Sequence, residues 1–78
     1  MQNIFSYNGV KPTIHPKAWV AQTASVIGDT HLDAESGIWY SCVIRGDVNE
    51  IRIGKRTNIQ DLTMIHCAEM GEFLKHQY

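Results

Sequence analysis

Aliphatic residues return at every sixth position through most of this 78-residue chain. A period of six matches neither the 3.6-residue turn of an α-helix nor the strict alternation of an ordinary β-hairpin. It predicts short strands separated by regular corners, as in a coiled sheet. The series is Ile14, Val20, Val26, Leu32, Ile38 and Ile44 and, after a three-residue slip, Ile53, Ile59 and Ile65.

A second column of residues supports this interpretation. Four residues after each aliphatic except Ile65 stands a small or β-branched residue, as a tight corner with an inward side chain requires. These residues are Ala18, Ala24, Thr30, Ser36, Cys42, Val48, Thr57 and Thr63. Three such faces make a coil of 18 residues, so the sequence predicts an all-β fold, a parallel β-helix of the hexapeptide-repeat type with about three coils.

The repeat also predicts which residues stack. Residues 18 apart, or 21 apart across the slip, should lie on adjacent rungs about 4.8 Å apart. Arg45 then lies one rung from His66 with both side chains outward, and Trp39 lies one rung from Gln60. The extra residues 48–52 should bulge just after Asp47, beside the column of Arg45 and His66.

The chain divides into three predicted segments. Residues 1–13 form a lead-in strand and turn, and residues 14–66 form the coils. Residues 67–78 form a loop, or a short helix with Met70, Phe73 and Leu74 on one face. No aliphatic hexad follows Ile65, and repeat solenoids need capped ends. We therefore expect a β-helix truncated at its C-terminal end.

Composition excludes several classes of function. The net charge of −1 comes from interspersed acids and bases, so nucleic acid and anionic membranes are not expected partners. No apolar run has the length of a membrane span, and the N-terminus lacks the pattern of a signal peptide, which favours the cytoplasm. Cys42 and Cys67 lack CxxC spacing and should be reduced and structural.

Three motifs occur in a fixed order: Arg-Gly-Asp at 45–47, Thr-Asn-Ile-Gln-Asp at 57–61, and His66. With the hexads of residues 14–66, they resemble the N-terminal part of the γ-class carbonic anhydrase-like family. That resemblance implies a left-handed winding and a homotrimer. It also implies reversible CO2 hydration by metal-bound hydroxide at a subunit interface, where three histidines hold zinc or iron.

The resemblance assigns roles to individual residues. His66 would be the first metal ligand, and the other two histidines would belong to a later coil that this chain does not contain. Arg45 and Asp47 would contact the neighbouring subunit and orient the site, although a surface ion pair explains them too. Gln60 would lie near the metal and hydrogen-bond its water.

Other residues give weaker indications. Glu69 either relays protons or is a solvated carboxylate. Val48 stands where some active members of the family carry an acid, so one proton-transfer group is missing. His15, His31 and His76 fit no motif and are predicted to be surface residues.

Three functions remain open from the sequence. The first is a γ-carbonic anhydrase-like subunit, incomplete in this chain and inactive alone. The second is a hexapeptide-repeat scaffold without catalysis. The third is an acyltransferase of the hexapeptide-repeat class, which explains the hexads but not the ordered motifs.

Overall fold

The computed structural model describes residues 3–67 and the strand His76–Gln77. All regular structure in these residues is β, and none of them forms a helix that could span a membrane. The strands are β1 (Ile4–Phe5), β2 (Thr13–Ile14), β3 (Trp19–Val20), β4 (Ser25–Leu32), β5 (Gly37–Ile38), β6 (Val43–Ile53), β7 (Asn58–Ile59), β8 (Met64–His66) and β9 (His76–Gln77).

The strands pair in parallel and stack as the repeat predicts. Each inward column of aliphatics appears as a row of Cα partners on successive rungs. The rows are Ile14 with Leu32 and Ile53, Val20 with Ile38 and Ile59, and Val26 with Ile44 and Ile65. The fold is therefore a parallel β-solenoid of about three stacked coils, as predicted. Its left-handed winding stays a prediction from the resemblance.

The aliphatic columns form the core. Ile38 and Ile44 are fully buried, and Ile53 is 1% exposed. Ile14 and Val20 are only half-buried, because they belong to the first coil. Burial of a whole aliphatic side chain contributes roughly 1.5–3 kcal/mol, so the middle rung supplies much of the stability.

The corners are tight and polar. Glu35 and Arg56 have positive φ, and so do Ser41 and Leu62, which gives two corners repeated 21 residues apart. At one of them the Leu62 N–H donates to the Tyr40 carbonyl at 2.9 Å. Stacked corners thus satisfy their backbone groups one rung apart.

Small polar side chains fit inside these corners. The buried Thr30 hydroxyl donates to the Ile27 carbonyl at 3.0 Å, and the buried Ser36 hydroxyl donates to the Asp33 carbonyl at 2.7 Å. Both hydroxyls are therefore satisfied locally, as buried polar groups must be. This explains why the column of small residues tolerates Ser and Thr.

One assignment in that column is wrong. Val48 was predicted to point inward, yet it is 53% exposed. The register between β4 and β6 changes from Gly28 opposite Gly46 to Thr30 opposite Ile51. The three extra residues thus lie between Gly46 and Ile51, which turns Val48 outward and places the fully buried Ile51 in the column instead.

The tail also differs from the prediction. His76 and Gln77 form β9 and pair with Ile51 and Arg52 of β6, where we predicted a loop or a short helix. Because β8 pairs only with the first three residues of β6, the later part of β6 still offers N–H and C=O groups to another strand. Residues 68–75 and 78, including the predicted helical face of Met70, Phe73 and Leu74, lie outside the described residues.

Aromatic rings cover part of the outer surface of the β3–β5–β7 sheet. Trp19 and Trp39 pack with ring centroids 4.8 Å apart, and Tyr40 meets Trp39 edge-on at 6.0 Å. Trp39 Nε1 donates to Asn58 Oδ1 at 3.3 Å. Trp39 is therefore outward, as predicted, and is held by both neighbouring rungs.

Candidate functional site

Arg45 and His66 are Cα partners on adjacent rungs. Along β6, buried Ile44 and Gly46 alternate with Arg45 and Asp47, so the strand directs the two charged side chains outward. His66 follows buried Ile65 on β8 and is outward for the same reason. The sequence prediction that these residues share one outer face is met.

Asp47 lies against both Arg45 and His66. Its Oδ2 accepts a hydrogen bond from Arg45 Nη2 at 2.8 Å, and its Oδ1 lies 3.6 Å from His66 Nε2. The Val48 N–H donates to Oδ1 at 2.9 Å, which fixes the carboxylate from the backbone side. The Asp47 side chain is 14% exposed, so this ion pair is better shielded from solvent than a typical surface pair.

Charge at the site follows from this geometry. The hydrogen bond from Arg45 lowers the pKa of the Asp47 carboxyl below its usual value, and burial opposes only part of that effect. Burial raises the pKa of the adjacent Cys67 thiol, and the negative charge of Asp47 adds to this. At neutral pH the site therefore presents an ionised carboxylate and a protonated thiol, which is a poor metal ligand.

The glycine of the Arg-Gly-Asp motif is required by packing. A Cβ on Gly46 would lie 2.6 Å from the Asp29 carbonyl oxygen and 2.7 Å from Thr30 Oγ1. A Cβ on Gly28, its partner on the next rung, would meet the Gly46 carbonyl oxygen. The two rungs approach closely here, directly before the insertion that positions Asp47.

Gln60 is not part of this contact set. It is exposed at the end of β7, on the face that precedes β8, and its carbonyl accepts hydrogen bonds from Thr63 Oγ1 and Cys42 Sγ. Among the described residues, its side chain makes no hydrogen bond to Arg45, Asp47 or His66. Its role beside a metal stays a prediction, and Glu69 lies outside the described residues.

A second group of ionisable side chains lies on the same sheet. His31 Nε2 is 2.8 Å from Asp29 Oδ1 and 3.3 Å from Glu50 Oε2. His31 was predicted to be a surface residue, but it is half-buried between these carboxylates. The signal was present in the sequence: Glu50 follows Asp29 by 21 residues, the spacing that stacks residues across the slip.

Comparisons with known proteins indicate the family. No protein-family model matches the chain. It is 52% identical over 58 residues to γ carbonic anhydrase 1, mitochondrial, of Arabidopsis thaliana, covering 74% of the chain and 21% of the relative. It is also 41% identical over 63 residues to a carbonic anhydrase of Geobacillus kaustophilus, covering 81% of the chain and 35% of the relative.

The chain belongs to the γ-carbonic anhydrase-like family of hexapeptide-repeat proteins. A solved hexapeptide transferase family protein of Anaplasma phagocytophilum has the same fold, with a TM-score of 0.80 and 42% identity. That match covers 82% of this chain and 39% of the other. The chain thus spans well under half the length of each of these γ-carbonic anhydrase-like and hexapeptide-repeat relatives.

The carbonic anhydrase relatives imply a metal in the family, and two features of this face suit such an ion. His66 offers an outward imidazole on a rigid rung, and Asp47 places a negative charge beside Nε2, both of which suit a divalent cation. Zinc in catalytic sites normally takes three protein ligands. Among the described residues His66 belongs to no group of three candidate ligands, so the described part of this face does not by itself supply the three protein ligands.

Proposed function

We propose that this chain is part of a γ-carbonic anhydrase-like subunit that carries out reversible CO2 hydration at a metal site shared between the copies of a homotrimer. The observation that carries the proposal is the placement of Asp47 against both Arg45 and His66 on adjacent outward rungs. The ordered motifs and the carbonic anhydrase relatives support the same reaction.

Each residue has a task in this proposal. His66 supplies an imidazole nitrogen to zinc or iron, and Asp47 favours a cation at that nitrogen through its negative charge. Arg45 holds the Asp47 carboxylate in place and presents a half-buried guanidinium toward a second subunit. When bound, a divalent metal supplies the Lewis acidity that makes water a nucleophile near neutral pH.

Gln60, on the neighbouring face, has a supporting role in this proposal. Its amide would hydrogen-bond water at the metal once a second copy is docked. Because His66 is the one residue of this chain assigned to a site that needs three protein ligands, we expect the 78-residue chain alone to show no CO2 hydration.

A chimera tests the reaction directly. Residues 14–66 replace the matching stretch of the Geobacillus kaustophilus carbonic anhydrase, which supplies the rest of the chain. Stopped-flow CO2 hydration should be retained in the chimera and lost in its His66→Ala variant. His15→Ala is the control, because His15 is exposed and its Nδ1 accepts a hydrogen bond from the Lys17 N–H at 3.0 Å. A folded, trimeric chimera without activity would refute the proposal and favour a scaffold.

Acyl transfer is the second candidate, because the solved relative from Anaplasma phagocytophilum is described as a hexapeptide transferase family protein. The same chimera separates the two functions. Release of free thiol from acetyl-CoA, with an amine or hydroxyl acceptor present and without CO2 hydration, would favour the transferase. CO2 hydration that depends on His66 would favour the carbonic anhydrase.

A further inference from the structure

Four charged or ionisable side chains lie together on two neighbouring strands, away from His66 in the sequence. Asp29 and His31 alternate with buried residues on β4, and Glu50 and Arg52 do so on β6. Thr30 pairs with Ile51 and His31 pairs with Arg52, so Asp29 and Glu50 stand on adjacent rungs. The three-residue insertion after Gly46 creates this arrangement.

The donor atoms in this group converge. Asp29 Oδ1 and Glu50 Oε2 lie 2.8 Å and 3.3 Å from His31 Nε2. The three candidate ligand atoms all lie within 4.8 Å of one another, and no other group of three occurs among the described residues. Ligand atoms about 2.0–2.2 Å from a common metal ion are separated by roughly 3 Å, which is close to the two distances from His31 Nε2.

The negative charges of the two carboxylates also favour a bound cation. Two carboxylates on adjacent rungs repel each other, and the repulsion grows as solvent is excluded. The Glu50 side chain is 13% exposed and His31 is 28% exposed. Arg52 Nη2 donates to Glu50 Oε2 at 2.8 Å, which offsets part of the negative charge of the two carboxylates.

A ligand can reach the group from an adjoining cavity. Asp29 and Glu50 line a cavity of about 390 Å³, whose other polar lining includes Asp47, Asn8 and Asn49. The cavity beside the group thus has several residues with carboxylate or amide side chains in its lining. Water in such a cavity can complete the coordination of an ion that has three protein ligands.

We propose that Asp29, His31 and Glu50 form a second metal site, which binds a divalent first-row transition ion such as Zn²⁺ through one imidazole and two carboxylates. This donor set suits zinc, iron or manganese better than calcium, because it includes nitrogen. The site lies wholly within one chain, so it does not require a second subunit. It is independent of the proposed CO2 hydration.

Zinc titration calorimetry on a His66→Ala chain tests the second site, because this background removes the predicted ligand of the first. We expect the His66→Ala chain to bind about one Zn²⁺. Adding His31→Gln or Asp29→Asn should weaken binding at least about tenfold, since even residues that only support a ligand change affinity by 10–100-fold. His15→Gln, a loss of an exposed imidazole, should leave the affinity unchanged.

Circular dichroism establishes that each variant is folded. If one of the two ligand variants misfolds, the other still reports on zinc binding. Absence of zinc binding by the His66→Ala chain would overturn the proposal. It would equally fail if His31→Gln and Asp29→Asn lowered the unfolding temperature but left the zinc affinity intact, because the group would then be a structural ion cluster.

Discussion

Asp47 and His66 face each other across two adjacent rungs, with Oδ1 3.6 Å from Nε2. Arg45 donates to the other carboxylate oxygen, Oδ2, and the Val48 N–H donates to Oδ1 itself, so two contacts besides His66 hold the carboxylate in place. Such a carboxylate can set the electrostatic environment of an imidazole before any metal is bound.

Acid should weaken the fold partly through Asp47. Arg45 lowers the pKa of Asp47 in the folded chain below its ordinary value of 3.8, so the stabilisation is complete above that value and is lost as the pH falls through the lower folded pKa. Asp47→Asn should be less stable than the parent at neutral pH, and the two should converge in acid. Urea unfolding at a series of pH values measures the gap; a gap that stays constant into strong acid would contradict the assignment.

Gly46→Ala should be strongly destabilising. Its Cβ would lie 2.6 Å from the Asp29 carbonyl oxygen, and backbone cannot yield as a flexible side chain can. We expect a loss of about 1–3 kcal/mol or more in the free energy of unfolding, as for other overpacked sites. Gly9→Ala is the control, because a Cβ there meets nothing within 4 Å and only the positive φ opposes it. Equal losses at the two positions would show that the rungs do not approach so closely.

Ile44→Ala tests the central column. Ile44 is fully buried between Val26 and Ile65, so the truncation should cost about 2–5 kcal/mol. Leu62→Ala removes a similar side chain that is 79% exposed and should change stability by less than about 0.5 kcal/mol. Denaturant melts of both variants provide the comparison, and a small loss for Ile44→Ala would place that residue outside the core.

The sequence predicts the coils well because buried aliphatic residues recur along the chain at a fixed spacing. Every face of a three-sided coil needs one inward aliphatic, so residues such as Ile38 and Ile59 are recognisable without any structure. The position of the insertion is less constrained. Val48 and Ile51 both suit an inward column, and the register of the structure, with Gly28 opposite Gly46 and Thr30 opposite Ile51, shows that the extra residues lie between Gly46 and Ile51.

The same uncertainty in register limited the prediction of the ionisable groups. Arg45, Asp47 and His66 were found because their motifs resemble a known family. Asp29, His31 and Glu50 were missed because their proximity depends on the 21-residue offset and on no motif. Strand β9 was missed because two residues with no hexad carry no periodic signal.

Assembly should depend on two different surfaces. Arg45→Ala should weaken a lateral trimer, because it removes the guanidinium that we place at the subunit interface. Met64→Lys puts a charge on β8, where Met64 is 56% exposed, and should reduce end-to-end association at that strand. Sedimentation at micromolar concentration distinguishes the two, and a well-folded monomer unaffected by either change would refute the proposed trimer.

The steady-state CO2 hydration of the chimera with Asp47→Asn tests the central claim most directly. Asparagine keeps the shape of the side chain and its contact with the backbone but removes the charge that faces His66 Nε2. We predict that kcat/KM falls about 10–100-fold, the usual effect of losing a group that supports a metal ligand, while the trimer mass stays unchanged. An unchanged kcat/KM in a correctly assembled Asp47→Asn chimera would contradict the account.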